Sequence, residues 1–333
     1  MPVYNGAPFV GEAIESVLDN GFADLELVVV DDASTDETVR VVEGIRHPAV
    51  RLVKQPENLG VAITRQHAIS LMRGRCMALL DQDDLAVPGR FAAQVDALER
   101  AAGPDIVGGA VECFGDATTV LQFPQHDAEI RAGLLFFSLP LVNPAVCMKL
   151  EPFRQGRIAY AADAGPAADY ALWVDAMRQG LRFANLAQTV TRYRRHAASH
   201  SRQTNEIIVT KSAQVRRTVV EMFFPKMPAP AQQALVEALT RLIGGGSRWV
   251  DGVYAMARAV ALAPAVPGIA PGCLIAHMEA HLLRMVEHVL HHKLIDYETL
   301  ESMTDSNEDF ERWRMADGGA LDRRIMALVA AHA

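Results

Sequence analysis

Two short acidic clusters stand directly after apolar runs of the sequence, and these clusters have the clearest potential for chemistry. They contain Asp31, Asp32, Asp81, Asp83 and Asp84. Like charges gathered in one place repel each other, and a bound cation removes that penalty. Carboxylate oxygens suit Mg²⁺ or Mn²⁺, and such a metal neutralises the charge that develops on a leaving phosphate. The clusters therefore predict a metal-assisted site for a phosphate-bearing substrate. The alternative is that they are helix N-caps and solvated turn residues.

The elements that must position these acids alternate between strands and helices. Apolar runs predict strands at 25–30, 50–53, 76–80 and 105–111, and amphipathic patterns predict helices at 9–18, 38–45, 61–72 and from Pro88 to 100. This order predicts an α/β fold with a mostly parallel sheet flanked by helices. Right-handed crossovers place the carboxyl ends of parallel strands on one edge, where such sheets bind ligands, so we expect both acidic clusters there.

The remainder of the chain changes character twice. The middle part predicts helices at 128–137 and 167–179 and a strand-rich return at 181–193. Beyond about residue 202 the sequence becomes helical and rich in Ala, Met, Leu and His. We therefore predict an all-helical extension at the C-terminal end of the chain.

The composition disfavours several classes of protein. The 333-residue chain has a formal net charge of -8 and lacks the basic footprint of a nucleic-acid-binding protein. It has no GxGxxG after the first apolar run and no GxxxxGK[ST], which disfavours dinucleotide oxidoreductases and P-loop NTPases. The four cysteines form no CxxC pair, and the sequence shows neither a membrane-spanning run nor a signal-peptide pattern. We expect a cytoplasmic protein, with peripheral association at the inner face of the membrane as an alternative.

Several motifs, taken in order, resemble those of the family 2 glycosyltransferases. They are Pro2-Val3-Tyr4-Asn5-Gly6, Val30-Asp31-Asp32-Ala33-Ser34-Thr35-Asp36, Glu57-Asn58-Leu59-Gly60 with Arg65, Leu80-Asp81-Gln82-Asp83-Asp84, Asp169-Tyr170-Ala171-Leu172-Trp173 and Tyr193-Arg194-Arg195-His196. Each motif alone is modest, whereas the ordered set is specific. The resemblance runs from residue 1 to about 202 and implies a GT-A-type fold. It also implies an inverting transfer from a nucleotide-sugar donor, expected to be UDP-linked, to a glycan or lipid-linked acceptor.

The resemblance also implies roles at the donor side. Asp32 is expected to hold the nucleobase, in a pocket that Pro2, Tyr4 and Asn5 line. Asp81 is expected to contact the ribose or the sugar. Arg65 is expected to lie near the donor phosphates or to brace the acidic loop.

The metal and the base follow from the same resemblance. Asp83 is expected to be the principal ligand of Mn²⁺ or Mg²⁺, with Asp84 as a supporting acid. Asp169 is expected to be the general base for the acceptor hydroxyl, and the alternative is an acid that stabilises a helix start. The implied organisation is a nucleotide-sugar-binding half at 1–105, an acceptor and base half at 106–202, and a helical region at 203–333.

The sequence departs from the family pattern in three places. Ala168 stands before the expected base, where the family usually has an acid, and Asp163 is a candidate to compensate. The loop at 160–168 is rich in Ala. The family has a full apolar first strand just before the segment at Pro2, so we expect that strand either to be absent or to lie upstream of Met1.

Other assignments remain open at this point. A nucleotidyltransferase on a related sheet is disfavoured because the segment at Tyr4 lacks a glycine-rich, basic loop. A decayed transferase that acts as a partner or scaffold protein is the alternative from another class. His277 and His281 have the spacing of a metal-binding pair, but without the zincin order they are expected to form a polar helix face with His288, His291 and His292. The helical region is expected to shape the acceptor site, to pair two subunits or, as the weakest option, to dock on a membrane surface.

Overall fold

The computed structural model describes residues 1–116, 118–136, 140–196, 205–240, 247–292, 294 and 307–332. These residues form two compact units. Unit 1 comprises 1–130 and 140–208, and unit 2 comprises 131–139 and 209–333. The predicted boundary between 202 and 203 lies outside the described residues, and the division into three functional parts stays a prediction.

Unit 1 begins with a three-stranded parallel sheet in the order β1-β2-β3. Its elements are β1 (Pro2–Val3), α1 (Val10–Leu18), β2 (Leu27–Asp31), α2 (Thr38–Gly44), β3 (Val50–Lys54) and α3 (Val61–Leu71). Strand β2 is the centre, and all five of its residues are buried, as its continuous run of Val predicts. Val10 and Ile14 of α1 pack with Val29 of β2 in one apolar cluster. This packing fixes the end of β2, where Asp31 is the last residue of the strand and Asp32 follows it.

A second, mixed sheet completes unit 1 in the order β4-β8-β6-β9-β5, with β7 on β6. Its strands are β4 (Cys76–Ala78), β5 (Leu85–Ala86), β6 (Ile106–Gly115), β7 (Thr119–Leu121), β8 (Cys147–Lys149) and β9 (Phe183–Arg195). The pair β6/β9 is parallel, and the other pairs are antiparallel. The parallel sheet is thus confirmed for the first three strands. β4 and β6 instead join the mixed sheet, because β8 lies between them and runs opposite to both.

Short helices connect these strands. They are α4 (Arg90–Glu99), α5 (Asp127–Gly133), α6 (Glu151–Arg154) and α7 (Ala168–Arg178), with 3₁₀ turns at Asn143–Ala145 and Ala162–Ala167. The predicted helix at 167–179 is therefore confirmed as α7. The return at 181–193 is one long strand, β9, which pairs with β6 along ten residues.

Unit 2 is helical over its described residues, as predicted. Its helices are α8 (Asn205–Phe223), α9 (Ala229–Thr240), α10 (Ser247–Leu262), α11 (Pro271–His291) and α12 (Glu308–His332). The interior of the unit is apolar and includes Trp249, Met256 and Leu282, which are fully buried. None of the helices described in either unit is long and apolar enough to cross a membrane.

Candidate active site

The loop at 81–84 follows the end of β4, and its first acid is held by an arginine of α3. A nitrogen of the Arg65 guanidinium donates to Asp81 Oδ1 at 2.5 Å. The Arg65 side chain is only 11% exposed. Burial by itself lowers the pKa of Arg65, but the charges of Asp81, Tyr160 and Asp169 outweigh it and raise the pKa. The arginine therefore stays charged and carries Asp81 as its counter-ion.

Asp83 contacts two residues at the end of β9. Its Oδ2 lies 2.9 Å from His196 Nε2, and its carbonyl oxygen accepts from Arg194 Nε at 2.9 Å. Burial, and then the charge of Asp81, raise the pKa of the Asp83 carboxyl above its ordinary value. The Asp83 side chain remains 25% exposed, so an ion can reach it.

Asp84 lies deeper than its neighbour. Only 1% of it is exposed, and its Oδ1 accepts from the backbone nitrogen of Arg194 at 2.8 Å. Its Oδ2 is buried and accepts no hydrogen bond from any described residue. Burial, followed by the charges of Asp81 and Asp83, raises the pKa of Asp84 well above the ordinary value. Asp84 thus ties the acidic loop to β9 from the inside.

The side chain of Arg194 is itself held in place. Its guanidinium carbon lies 5.1 Å from the centre of the Phe9 ring and 4.4 Å from that of Phe114. A guanidinium nitrogen also bonds Glu12 Oε2 at 2.5 Å. Two aromatic faces and one carboxylate are favourable surroundings for a guanidinium, so this arginine anchors the loop rather than moving freely.

The donor set of the loop has the chemistry of a divalent-cation site. Burial and then the charge of Asp81 raise the pKa of Asp83, while burial and then the charges of Asp81 and Asp83 raise the pKa of Asp84, which also has an orphan buried oxygen. A divalent cation would lower those pKa values and accept carboxylate oxygens. Within the described parts of the chain, however, no three His, Cys, Asp or Glu side chains already converge as a complete ligand set. The residues fit a cation that also takes ligands from its substrate.

Asp169 begins α7 and is the acid expected to act as base. Its Oδ1 accepts from the backbone nitrogen of Tyr170 at 2.7 Å. Burial raises its pKa, and the charge of Arg65 opposes that shift. The preceding Ala168 is 3% exposed, whereas Asp163 is exposed on the 3₁₀ turn. A partly buried carboxyl with a raised pKa has the properties that a general base requires.

Arg65 joins the acidic loop to the expected base. Its guanidinium carbon lies 5.8 Å from the centre of the Tyr160 ring. With its amide oxygen turned toward Arg65, Asn143 accepts from both guanidinium nitrogens at 3.0 and 3.2 Å and donates to the Tyr160 hydroxyl at 3.0 Å. The guanidinium therefore acts electrostatically on both Asp81 and Asp169. The partners described for it are protein groups, and the choice between the two roles expected for Arg65 stays a prediction.

The carboxylate of Asp32 is already engaged by protein donors. Its Oδ1 accepts from Gln55 Nε2 at 2.6 Å and from Leu59 N at 2.8 Å, and its Oδ2 accepts from Gly60 N at 2.9 Å. The side-chain carboxylate of Asp31, by contrast, accepts only long bonds of 3.2 and 3.4 Å from Ser34 N among the hydrogen bonds described for it. Asp32 thus shapes the loop after β3.

Replacing Asp32 by Asn is expected to lower the free energy of unfolding by about 2–3 kcal/mol. The amide would lose charge-assisted bonds and present an N–H to a backbone donor, either Leu59 N or Gly60 N. Denaturant unfolding measures the change. The same substitution at the exposed Asp96 is the control, with an expected change within about 0.5 kcal/mol. Equal effects at the two positions would contradict this role for Asp32.

The loop after β1 is cross-linked to the loop after β2. Asn5 has a φ of +47°. Its backbone nitrogen donates to Ser34 Oγ at 3.0 Å, and its Oδ1 accepts from Thr35 N at 2.8 Å. Gly6 N donates to Thr38 Oγ1 at 2.7 Å. These bonds hold the loop that carries the exposed Tyr4 against the loop after β2, while Pro2 lies in β1 opposite Val30.

Ala33 adopts a left-handed backbone conformation, with a φ of +61°. This conformation costs a non-glycine residue roughly 1–2 kcal/mol, and glycine avoids that cost while adding entropy to the unfolded chain. We therefore expect Ala33→Gly to raise the free energy of unfolding by about 0.5–1 kcal/mol. Ala93→Gly within α4 is the matched control and is expected to lower it by about 1 kcal/mol. A loss at both positions would show that Ala33 is unstrained.

The structure also reveals site residues that the sequence interpretation left without a role. Gln82, Asn143 and Tyr160 contact the expected site residues, and so do Arg194 and His196, which were quoted only as part of a closing motif. The contact between His196 and Asp83 joins positions 113 residues apart. The closing motif was the one sequence signal that could have identified these two residues.

Comparison with known proteins adds the family context. Residues 1–156 match the family model of glycosyl transferase family 2. The putative glycosyltransferase EpsE of Bacillus subtilis is 27% identical over 219 residues, which are 61% of this chain and 74% of EpsE. WfaP of Escherichia coli, a UDP-Glc:alpha-D-GlcNAc-diphosphoundecaprenol beta-1,3-glucosyltransferase, is 26% identical over 199 residues, 60% of this chain and 76% of WfaP. S. aureus TarS 1–349, solved in complex with UDP-GlcNAc, superposes with a TM-score of 0.58 at 16% identity, covering 95% of this chain and 93% of TarS 1–349. The likeness to TarS concerns the fold.

Proposed function

Because the chain is a member of glycosyl transferase family 2 and hence a glycosyltransferase, we propose that it transfers a sugar with inversion from a nucleotide-diphosphate sugar to a hydroxyl acceptor. The observation that carries this proposal is the arrangement around Arg65. Its guanidinium bonds Asp81 of the acidic loop and acts electrostatically on Asp169. The loop for a diphosphate and the carboxyl for the acceptor proton are thus linked through one buried residue.

For the donor we propose a UDP-linked sugar. The printed activity of the relative WfaP, which uses UDP-Glc, supports the uridine nucleotide. The nucleobase would lie beside Pro2, Tyr4 and Asn5, with Asp81 at the ribose or sugar. Asp32 was predicted to hold the base, but three protein donors occupy its oxygens. We therefore propose that Asp31 shares that role.

For the metal we propose Asp83 as the principal ligand of Mn²⁺ or Mg²⁺. Asp84 is the supporting acid, and His196 contacts the Asp83 carboxylate. When bound, the cation supplies charge that stabilises the leaving diphosphate. Arg194 and Arg65 hold the carboxylates in position before the substrate arrives, so little reorganisation is needed during the reaction.

For the transfer step we propose Asp169 as the general base. Its carboxylate removes the proton of the acceptor hydroxyl, the acceptor oxygen forms a bond to the anomeric carbon, and the bond from that carbon to the diphosphate oxygen breaks. The proton ends on Asp169 and the bonding electrons leave with the nucleoside diphosphate. Burial raises the pKa of Asp169, which strengthens it as a base, and the charge of Arg65 opposes that shift.

For the acceptor we propose a glycan or a lipid-linked saccharide, in keeping with the diphosphoundecaprenol-linked acceptor in the name of WfaP. The division at 105 and 202 into a donor half, an acceptor half and a helical region remains part of this proposal. We also propose that two copies pair through the helical region, that the protein is cytoplasmic and that it associates weakly with the membrane surface.

Calorimetric titration with UDP, GDP and dTDP, with and without Mn²⁺, tests the proposal. We expect metal-dependent binding of UDP. Binding of none of the three would overturn the proposal and favour a decayed transferase that acts as a partner protein. Release of pyrophosphate from a nucleoside triphosphate would instead indicate a nucleotidyltransferase.

A further inference from the structure

Gln82, the one residue of the run 81–84 that is not an acid, makes a paired contact across the site. Its Oε1 accepts from the backbone nitrogen of Tyr4 at 2.8 Å, and its Nε2 donates to the carbonyl oxygen of Tyr4 at 3.0 Å. A primary amide offers both a donor and an acceptor, whereas a carboxylate offers acceptors alone. A glutamate could not form both bonds. The contact therefore explains why an amide stands between Asp81 and Asp83.

Gly6 provides the space for this amide. A Cβ atom at Gly6 would lie 2.2 Å from Gln82 Oε1 and 2.4 Å from Gln82 Cδ. The backbone of Gly6 is not in the left-handed region, so its conformation alone does not require glycine. The steric limit comes from Gln82. Two parts of the sequence, more than 70 residues apart, are therefore matched to each other in shape as well as in hydrogen bonding.

The two bonds connect opposite ends of the proposed donor site. Tyr4 belongs to the loop that Asn5 and Gly6 tie to the end of β2, where the nucleobase is proposed to bind. Gln82 lies between Asp81 and Asp83, where the diphosphate and its metal are proposed to bind. The amide of Gln82 thus connects the part of the site proposed for the nucleobase with the part proposed for the diphosphate.

We propose that Gln82 is a positioning residue that fixes the distance between these two ends, so that a nucleoside diphosphate gains affinity from both at once. This inference rests on the proposed function and adds a residue that does not itself touch the donor. Each half of the site binds its own part of the ligand independently. A ligand that spans both halves gains from their fixed spacing, because no ordering is required on binding.

Gln82→Met tests the proposal, since methionine has a similar length and cannot form either bond. We expect the Kd for UDP to rise about tenfold, which is about 1.4 kcal/mol of binding free energy, because the two ends of the site lose their fixed spacing. We expect the Kd for uridine, which occupies only the base end, to stay within about threefold. Correspondingly, the KM for the sugar donor should rise while kcat changes by less than about threefold. Gln188→Met, at an exposed position of β9, is the matched control and should bind like the wild type.

A second pair of variants keeps the test decisive if Gln82→Met folds poorly. Gly6→Ala places a methyl group against the Gln82 amide and should weaken UDP binding by a similar factor. Gly6→Ala combined with Gln82→Ala should bind no more weakly than Gln82→Ala alone, because the amide that the methyl group displaces is gone.

The outcomes separate this inference from the proposed function. If wild-type protein binds UDP and the Gln82 and Gly6 variants bind it equally well, the positioning role is overturned and the proposed function stands. The same role is overturned if UDP and uridine lose affinity by the same factor, since that result indicates general damage to the fold. If the wild type binds no nucleotide, the proposed function itself has failed.

Discussion

Replacing Asp169 by Asn is expected to lower the rate of sugar transfer by about 10²–10⁴-fold, the usual contribution of a general base. The amide cannot accept the acceptor proton, although its oxygen can still accept the bond from Tyr170 N that Asp169 makes. Donor binding should change little, because Asp169 is proposed to act on the acceptor hydroxyl. Transfer from a UDP-sugar to a set of hydroxyl acceptors, together with calorimetric titration of UDP, measures both effects.

The pH dependence of this variant separates catalysis from stability. Burial raises the pKa of Asp169, so the folded state favours the neutral carboxyl. Ionisation therefore costs stability as pH rises from the unfolded pKa through the folded one, and Asn, which stays neutral, should be at least as stable at pH 7. In the wild type, kcat/KM should fall as pH drops through the raised pKa. Asp163→Asn is the control at an exposed position of the preceding turn. A loss at Asp163 equal to that at Asp169 would show that Asp163 contributes to the base function.

Replacing Asp83 by Ala is expected to abolish the metal dependence of nucleotide binding and to lower transfer by roughly 10³-fold or more, since a catalytic metal supplies several kcal/mol of charge stabilisation. The Asp83 side chain is 25% exposed, and His196 contacts the same carboxylate. Calorimetry of UDP binding in the presence of Mn²⁺ and in its absence gives the direct measurement.

Two further variants define what that result means. Asp96→Ala removes an exposed acid that pairs with Arg100 and should leave metal-dependent binding intact. His196→Gln keeps a polar group beside Asp83 and should give a smaller loss than Asp83→Ala. Unchanged binding and transfer in Asp83→Ala would exclude the acidic loop as the metal site, whatever the effect of the other two variants.

The part of the fold that the sequence could predict is the part in which the signal is local. The largely apolar run from Leu25 to Val30 predicts a buried strand, because such a strand requires apolar residues along its length. The two aspartates that follow mark the end of that run. The same reasoning located Asp81 to Asp84 and the start of α7. The order of the mixed sheet could not be predicted this way, because the pairing of β4 with β8 joins residues about 70 positions apart.

The roles of individual acids were harder to predict than their positions. Asp31 and Asp32 are adjacent and chemically identical, and only the partners of Asp32 distinguish them. Those partners lie more than 20 residues away on another loop. Arg65 was expected either near the phosphates or as a brace of the acidic loop, and its contacts with Tyr160 and Asn143 were not predicted because no local pattern connects these residues to it.

The long pairing of β6 with β9 has a consequence for how the protein can be shortened. β9 covers the full length of Ile106–Gly115 and then delivers Arg194 and His196 to the acidic loop. The family match ends at residue 156, before this strand begins. A fragment limited to the matched residues would present a ten-residue, largely apolar strand edge to solvent, which favours association between chains. It would also lack Arg194 and His196, which contact Asp84 and Asp83. During synthesis, the site can be completed only after residue 196 has emerged from the ribosome.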